Sequence, residues 1–185
     1  SMKNVLFISS SPRRNGNRGQ LCAEFARGAR EAGCSVVTVA LREKQIGFCR
    51  GCEACVKTSG GCVQQDDMAE LIEKACRADA LVFASPIYFM ALSAQLKVFI
   101  DRFIAGENRI RASSGKKAYL ITACAAPEDF PRDQHAAANA AFRGFLQCLR
   151  TVELGGILNA SGLSEPGQAA GTKWAAQAFE MGRGI

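Results

Sequence analysis

Short apolar runs alternate with longer amphipathic stretches along the chain, and this alternation constrains the fold more than any other feature. Five runs are typical of buried strands, and they lie at residues 5–8, 35–40, 80–84, 118–122 and 152–158. The stretches between them repeat apolar residues at helical spacing. Strands that alternate with helices are joined by right-handed crossovers, which make the sheet parallel and cover both of its faces. The pattern predicts an α/β fold with a doubly wound, five-stranded parallel sheet.

The same pattern predicts where functional residues lie. Ligands bind such sheets beyond the carboxyl ends of the strands, near the point at which the strand order reverses. The loops predicted there are at residues 9–17, 85–92 and 123–127. A length of 185 residues suits one sizeable core. We therefore expect a single domain over residues 2–185, with a cysteine-rich loop at residues 48–65.

Charge, hydropathy and cysteine content exclude several classes of protein. The net charge is +6, but Lys and Arg are spread along the chain without a basic tail, so we expect no nucleic-acid partner. No apolar run reaches the roughly 18 residues of a membrane span, and no export signal precedes the first strand. Nine cysteines, an odd number, argue against a disulfide framework. We expect a cytoplasmic protein without a membrane partner.

The first of these loops has residues that suit an anion. It joins a strand directly to a helix, and the free N–H groups and dipole of a helix start attract phosphate. Ser9 and Ser11 offer hydroxyl donors, and Arg13 can add a charge-assisted bidentate contact. Gly16 permits close backbone approach, and Asn17 can cap the helix or contact the ligand. The fingerprints of dinucleotide and triphosphate loops are absent. The residues alone fit a phosphate loop and a capped turn equally well.

Two segments in the right order resemble a known family. SPRRNGN at residues 11–17 resembles the signature loop of the NADPH-dependent FMN reductase family, whose members are flavodoxin-like. SPIYF at residues 85–89 is similar to that family's second flavin loop. The helix that follows is similar to the family's at Ser93, Lys97, Asp101 and Arg102. The resemblance covers residues 5–124 and implies a flavodoxin-like fold that binds FMN.

The resemblance also implies which residues surround the FMN. Around the phosphate they are Ser9, Ser11, Arg13, Asn15 and Asn17. Along the ribityl chain and flavin ring they are Pro86, Ile87, Tyr88, Phe89 and Met90. On the far side of the ring, backbone groups come from Ala123, Cys124 and Ala125. Arg18 stands where the family commonly has Thr or Ser, so an outward-facing helix residue is the alternative there.

Four of the cysteines crowd into one loop, with the spacing C-x2-C-x2-C-x6-C. They are Cys49, Cys52, Cys55 and Cys62. Soft thiolates select iron–sulfur clusters, zinc or copper(I), and three close cysteines with a fourth further along suit a cubane cluster. Zinc sites more often pair two separated knuckles, and free or redox-active thiols are a further interpretation. The spacing, followed by Asp66-Asp67-Met68, resembles the iron–sulfur flavoproteins of the same family, which implies a [4Fe–4S] cluster.

Three further residues have structural interpretations. Lys97 and Asp101 have the spacing of an ion pair on one helix. Arg102, beside them, could reach a neighbouring subunit. His135 is the single histidine, and its place at a helix start among alanines predicts a surface residue rather than a ligand.

The function implied is that of an FMN-dependent oxidoreductase. No nucleophile–base pair is visible, so hydrolysis is disfavoured, and no catalytic side chain is assigned because flavin carries the chemistry. We expect electrons to pass between a reduced donor, with NAD(P)H as co-substrate, FMN and the iron–sulfur cluster. The partners are then small-molecule or protein electron donors and acceptors. We also expect a homodimer or homotetramer, because a neighbouring copy would complete the flavin pocket at the rim of the fold.

Two alternative functions stay open. The first is a cluster-free NAD(P)H-dependent reductase of FMN, quinones or azo compounds. The second belongs to another class: a non-catalytic flavin electron carrier or a zinc-stapled binding module.

Overall fold

A computed structural model describes residues 2–13 and 16–185. In it, five strands form a parallel sheet of order β2-β1-β3-β5-β6, and a two-residue strand, β4, pairs antiparallel with β3. The strands are β1 (Asn4–Ser9), β2 (Ser35–Ala40), β3 (Ala80–Tyr88), β4 (Ala91–Leu92), β5 (Lys117–Ala123) and β6 (Glu153–Ala160). The sequence prediction of a doubly wound five-stranded parallel sheet is confirmed, and the strand order is flavodoxin-like.

Helices connect the strands and cover both faces of the sheet. They are α1 (Asn17–Glu31), α2 (Ala54–Thr58), α3 (Met68–Arg77), α4 (Ala94–Arg102), α5 (Glu107–Arg111), α6 (Ala136–Leu149) and α7 (Lys173–Arg183). Short 3-10 helices lie at Leu41–Glu43 and Phe103–Gly106. Among the described residues, no helix is both long and apolar enough to cross a membrane.

The side chains of successive strand residues pack into two separate hydrophobic cores, one on each face of the sheet. Val5 and Phe7 of β1 face the core beneath α1 and α7. Leu6 and Ile8 face the opposite core, beneath α3, α4 and α6. This alternation follows from the two-residue period of a strand, and it explains why the strands are apolar on both sides.

Two glycines allow α1 and α7 to pack against each other at very short range. A Cβ atom on Gly28 would lie 2.1 Å from the carbonyl oxygen of Phe179. A Cβ atom on Gly182 would lie 2.0 Å from the carbonyl oxygen of Phe25. Both distances are far below van der Waals contact, so neither position accepts a side chain. The chain after β6 is thereby fixed against α1, which begins at the carboxyl edge of the sheet.

Candidate functional site

A cavity of about 330 Å³ opens at the carboxyl edge of the sheet, among the loops after β1, β3, β5 and β6. Its volume lies within the range of small-molecule sites. The residues predicted around the flavin that line it are Arg13, Asn17, Ile87, Tyr88, Ala123, Cys124 and Ala125. Asn15, also predicted, lies outside the described residues. The loops named from the sequence therefore meet around one space.

The other predicted flavin residues that the structure describes do not line this cavity. Ser9 and Ser11 line a second cavity between α1 and β2. Pro86 is buried within β3. Phe89 and Met90 form the exposed tip of the β3–β4 hairpin.

Asn17 holds a loop that the sequence prediction omits. Its Nδ2 donates hydrogen bonds to the carbonyl oxygens of Glu165 at 2.6 Å and Leu163 at 3.5 Å. Its Oδ1 accepts from the N–H of Ala169 at 2.9 Å. The cavity wall built by this loop consists of Leu163, Ser164 and Pro166. The rule that parallel strands end at one edge of the sheet could have indicated it, because the loop directly follows β6.

The start of α1 presents groups that suit an anion. Its N-cap residue Gly16 is extended, and among the described residues no side chain caps the first turn. Arg18 lines the cavity instead of facing outward. Its Nε is buried and has no hydrogen-bond partner within the part of the chain that the structure describes. Burial lowers the pKa of Arg18. A buried guanidinium N–H without an acceptor is unfavourable, so an anionic ligand group fits here.

The hairpin beside the cavity carries strained, exposed apolar residues. Tyr88 pairs with Ala91, so Phe89 and Met90 form a two-residue turn. Their φ angles of 47° and 61° are in the left-handed region, which glycine or asparagine normally occupies in such turns. The Phe89 side chain is fully exposed. Strain of this kind is characteristic of functional segments.

A buried polar network lies behind the cavity wall. Cys124 Sγ is 3.4 Å from Nε2 of His135, and that Nε2 is 2.9 Å from Oγ of Ser161. The Nδ1 atom of His135 is 2.8 Å from Oγ1 of Thr122. Burial lowers the pKa of His135. The prediction of a surface histidine is therefore wrong, since His135 is 7% exposed. Its polar partners lie at the end of β5 and directly after β5 and β6, and the helical pattern around His135 does not reveal them.

All four clustered cysteines line one pocket in the loop between β2 and α3. The backbone N–H of Gln64 donates to Sγ of Cys62 at 3.4 Å. Burial, and then the neighbouring thiol of Cys62, raise the pKa of Cys55. Across residues 2–13 and 16–185, however, no group of three or more His, Cys, Asp or Glu side chains has an arrangement that could hold a metal ion. The loop thus brings the cysteines together without assembling a metal-binding geometry.

Arg102 forms the inner side of this cysteine pocket and is only 1% exposed. Its Nη1 donates to Oδ2 of Asp66 and to the carbonyl oxygen of Gly47, both at 2.7 Å, and its Nη2 donates to Oδ1 of Asp66 at 2.9 Å. Arg102 lowers the pKa of Asp66 to about 2. Asp66, and to a smaller extent Cys62, raise the pKa of Arg102. Arg102 is thus held inside its own chain rather than at a neighbouring subunit.

Comparison with known sequences gives a consistent result. The sequence model of the NADPH-dependent FMN reductase family matches residues 3–161. An iron-sulfur flavoprotein of Archaeoglobus fulgidus is 33% identical over 124 residues, which are 66% of this chain and 56% of that protein. An iron-sulfur flavoprotein of Methanocaldococcus jannaschii is 39% identical over 98 residues, which are 53% of this chain and 50% of that protein. The chain spans about half the length of the curated relatives it matches.

Solved structures share the fold at low sequence identity. An azoreductase from Bacillus anthracis superposes with a TM-score of 0.78 and 16% identity, and the match covers 100% of both chains. An NADH:FMN oxidoreductase superposes with a TM-score of 0.69 and 18% identity, and the match covers 98% of this chain and 87% of the other. At these identities the likeness establishes the fold alone.

Proposed function

Because the chain belongs to the NADPH-dependent FMN reductase family, we propose that it is an FMN-dependent oxidoreductase. In this proposal it passes electrons between a reduced donor, FMN bound at the carboxyl edge of the sheet, and a [4Fe–4S] cluster held by the cysteine loop. The observation that carries the FMN site is the buried Nε of Arg18, which has no partner among the described residues. Arg18 lines the cavity at the open start of α1.

The lining of the cavity fits FMN. Arg13, Arg18 and the first N–H groups of α1 would hold the phosphate, where charge and helix dipole both favour a dianion. Ile87 and Tyr88 supply an apolar surface for the ring, and the chain at Ala123–Ala125 supplies backbone groups. Bound FMN can take up two electrons and release them singly. The residues themselves bind and orient the cofactor and exclude water from it.

The phosphate assignment is tested by comparing FMN with riboflavin, which lacks the phosphate. We expect purified protein to be yellow and to release FMN on denaturation. Arg13→Ala and Arg18→Ala should each weaken FMN binding by about 1.5–3 kcal/mol, the scale of a charged hydrogen bond, and leave riboflavin binding unchanged. Arg143→Ala, at an exposed position on α6, is the matched control and should change neither affinity. Equal affinities of the wild type for FMN and riboflavin would overturn the assignment.

The cluster proposal rests on the donor set of the cysteine pocket. Cys49, Cys52, Cys55 and Cys62 are four soft ligands around one space, which is the set that a cubane cluster requires. The N–H group of Gln64 that points at the Cys62 sulfur also suits a thiolate ligand. Relatives over this part of the chain are iron-sulfur flavoproteins by name. A bound cluster supplies one-electron transfer.

Anaerobic reconstitution tests the cluster. We expect about four irons and matching acid-labile sulfide per chain, with a paramagnetic resonance signal after reduction. Cys52→Ala should lose the iron and keep the FMN. Cys148→Ala removes an exposed cysteine outside the pocket and should keep both. Stoichiometric zinc, or no iron after reconstitution, would contradict the proposal.

A cluster-free reductase is the second candidate function, and one observation favours it. The cysteines, as the described part of the chain places them, do not form a metal-binding group. On this alternative the protein reduces quinones, azo compounds or free flavin, and its cysteines remain thiols. NAD(P)H-driven turnover of such an acceptor by iron-free protein, at the rate of reconstituted protein, would establish it.

The electron donor and the assembly complete the proposal. The family name favours NADPH as donor, and NADH is the related alternative. Anaerobic mixing with the physiological donor should bleach the flavin absorbance. The exposed tip formed by Tyr88, Phe89 and Met90 beside the cavity favours a second copy of the chain as its cover. Light scattering should report a dimer or tetramer, and a monomer with tightly bound flavin would exclude that arrangement.

A further inference from the structure

The guanidinium of Arg102 has one nitrogen atom, Nε, that makes no hydrogen bond to the described part of its chain. Both Nη atoms are engaged by Asp66 and Gly47. The Nε atom is buried and has no partner among the residues that the structure describes. Because burying an N–H group without an acceptor is unfavourable, a ligand atom that accepts a hydrogen bond belongs beside it.

The pocket that Arg102 lines identifies the acceptor as sulfur. Four cysteine side chains surround this pocket, and the sulfur of Cys62 lies within electrostatic reach of the guanidinium. The carboxylate of Glu53, which also lines the pocket, is engaged by Lys57 at 3.4 Å on the exposed side. The side-chain amide of Gln64 donates to the carbonyl oxygen of Phe48. Of the side chains that line the pocket, the thiol of Cys62 is the one whose interaction with the guanidinium raises the pKa of Arg102, so thiolate or sulfide sulfur is the acceptor that the pocket brings to this edge of the guanidinium.

Arg102 also fixes the stem of the cysteine loop. Oδ2 of Asp66 accepts from the N–H of Gly47 at 2.9 Å, so the two ends of the loop meet at this carboxylate. Arg102 joins both ends to the last turn of α4. The first turn of the same helix is capped by Ser93, whose Oγ donates to Oγ of Ser10 in the loop after β1. One nine-residue helix thus connects the cysteine pocket to the flavin loops.

We propose that Arg102 is a positioning residue of the cluster site, whose Nε–H donates a hydrogen bond to a thiolate or sulfide sulfur of the bound cluster. The inference rests on the proposed iron–sulfur function. Hydrogen bonds to cluster sulfurs stabilise the reduced form, which carries more negative charge, and so raise the reduction potential. Arg102 therefore tunes the potential of the cluster, while its Nη atoms hold the loop in place.

The test compares reduction potentials of anaerobically reconstituted protein, followed by paramagnetic resonance during a redox titration. Arg102→Lys keeps a cation but lacks the Nε–H, and we expect its cluster potential to shift to a more negative value while iron and FMN contents are retained. Arg109 is an exposed arginine of the neighbouring α5 that pairs with Glu73 of α3. The control variant Arg109→Lys should keep the wild-type potential. An unchanged potential in Arg102→Lys would overturn the inference and leave the cluster proposal standing.

A second measurement uses the wild-type protein, so its result does not depend on whether a variant of Arg102 folds. Wild-type protein containing ¹⁵Nε-labelled arginine should show a weak ¹⁵N coupling to the reduced cluster by pulsed paramagnetic resonance. Arg50→Lys, at an exposed arginine that lines the same pocket, should retain this coupling. A cluster without any arginine coupling would contradict the role of Arg102. A wild type that takes up no iron would instead overturn the proposed function, and the inference would fall with it.

Discussion

Oγ of Ser93 lies 2.8 Å from Oγ of Ser10, and this hydrogen bond joins the two loops beside the cavity in which we propose that FMN binds. Ser93 accepts from the N–H of Leu96 as the cap of α4, and its own N–H donates to Oγ of Ser85 at 2.9 Å. Ser10 in turn donates to the carbonyl oxygen of Ala84. The serines therefore form a buried polar clamp that fixes the relative positions of β1, β3 and α4.

Ser93→Ala should weaken both stability and cofactor binding. Loss of an N-cap costs about 1 kcal/mol, and the buried hydroxyl of Ser10 loses the hydrogen bond that it accepts from Ser93, so we expect a loss of about 1–3 kcal/mol in the free energy of unfolding. FMN affinity should fall because the two loops are no longer joined. Ser35→Ala removes a hydroxyl bonded to Asn4 at the opposite edge of the sheet and should leave FMN affinity unchanged. Unaltered FMN binding in Ser93→Ala would argue against the clamp.

Gly28→Ala should separate α1 from α7. The added Cβ would lie 2.1 Å from the carbonyl oxygen of Phe179, and backbone atoms cannot rotate away as a side chain can. We expect a loss of about 3 kcal/mol or more in the free energy of unfolding, as for severe overpacking. Gly144→Ala in α6 is the matched control, since its Cβ meets nothing within 4 Å. It should stabilise the protein by about 0.5–1 kcal/mol through helix propensity. Urea unfolding of both variants measures the difference.

Strand and helix positions were predictable because they depend on local periodicity. The prediction for β2 coincides with the observed Ser35–Ala40, and the other four parallel strands begin or end within a few residues of their predictions. Local periodicity does not explain the glycines of β6, because it is the ring of Tyr119 from β5 that packs over Gly155. A neighbouring strand, which the local sequence does not specify, supplies that explanation. The short α2 and α5 escaped prediction because a single turn has no apolar period.

Side-chain partners far apart in sequence were not predictable. The family resemblance implied that Asn17 lies beside the phosphate, and its place at a helix start left a cap or a ligand contact open, but neither indicated that its amide binds a loop 146 to 152 residues further along. Arg102 and Asp66 are 36 residues apart, and nothing in either segment indicates the other. The cavity lining was predicted best at the end of β5, where Ala123, Cys124 and Ala125 all line the cavity. The positions of the other lining residues depend on tertiary contacts, which the local sequence does not specify.

The Asp66–Arg102 ion pair should make the free energy of unfolding depend on pH. The pKa of Asp66 falls from 3.8 to about 2 on folding because Arg102 favours the carboxylate. A lowered pKa stabilises the protein above the unfolded value and loses that contribution, about 2 kcal/mol, as the pH falls from 4 towards 2. Asp66→Asn should be strongly destabilised at pH 7, because it leaves the buried Arg102 without its anion.

The measurement is the free energy of unfolding of the wild type and of Asp66→Asn as a function of pH. The gap in free energy of unfolding between wild type and Asp66→Asn should narrow as the pH drops below 4. Asp101→Asn disrupts an exposed pair with Lys97 on α4 and should cost less than about 1 kcal/mol at pH 7. A gap for Asp66→Asn that stays constant from pH 7 to pH 2 would show that the ion pair does not contribute in this way.

The strained hairpin tip should lower the stability of the protein and support FMN binding or self-association. Phe89 and Met90 occupy left-handed conformations that cost side-chain-bearing residues about 1–3 kcal/mol each. The double variant Phe89→Asn/Met90→Gly has the residues that such turns favour, so we expect it to raise the free energy of unfolding by about 1–2 kcal/mol. FMN affinity or self-association should fall in the same variant, because the apolar side chains are then missing from the edge of the cavity. Thermal unfolding, FMN titration and sedimentation velocity measure the three quantities.

Two outcomes would contradict this prediction for the hairpin tip. A variant that is more stable and also retains wild-type FMN binding and assembly would show that the strained tip has no functional role. A variant that is less stable would show that surrounding contacts, rather than the turn residues, determine this conformation.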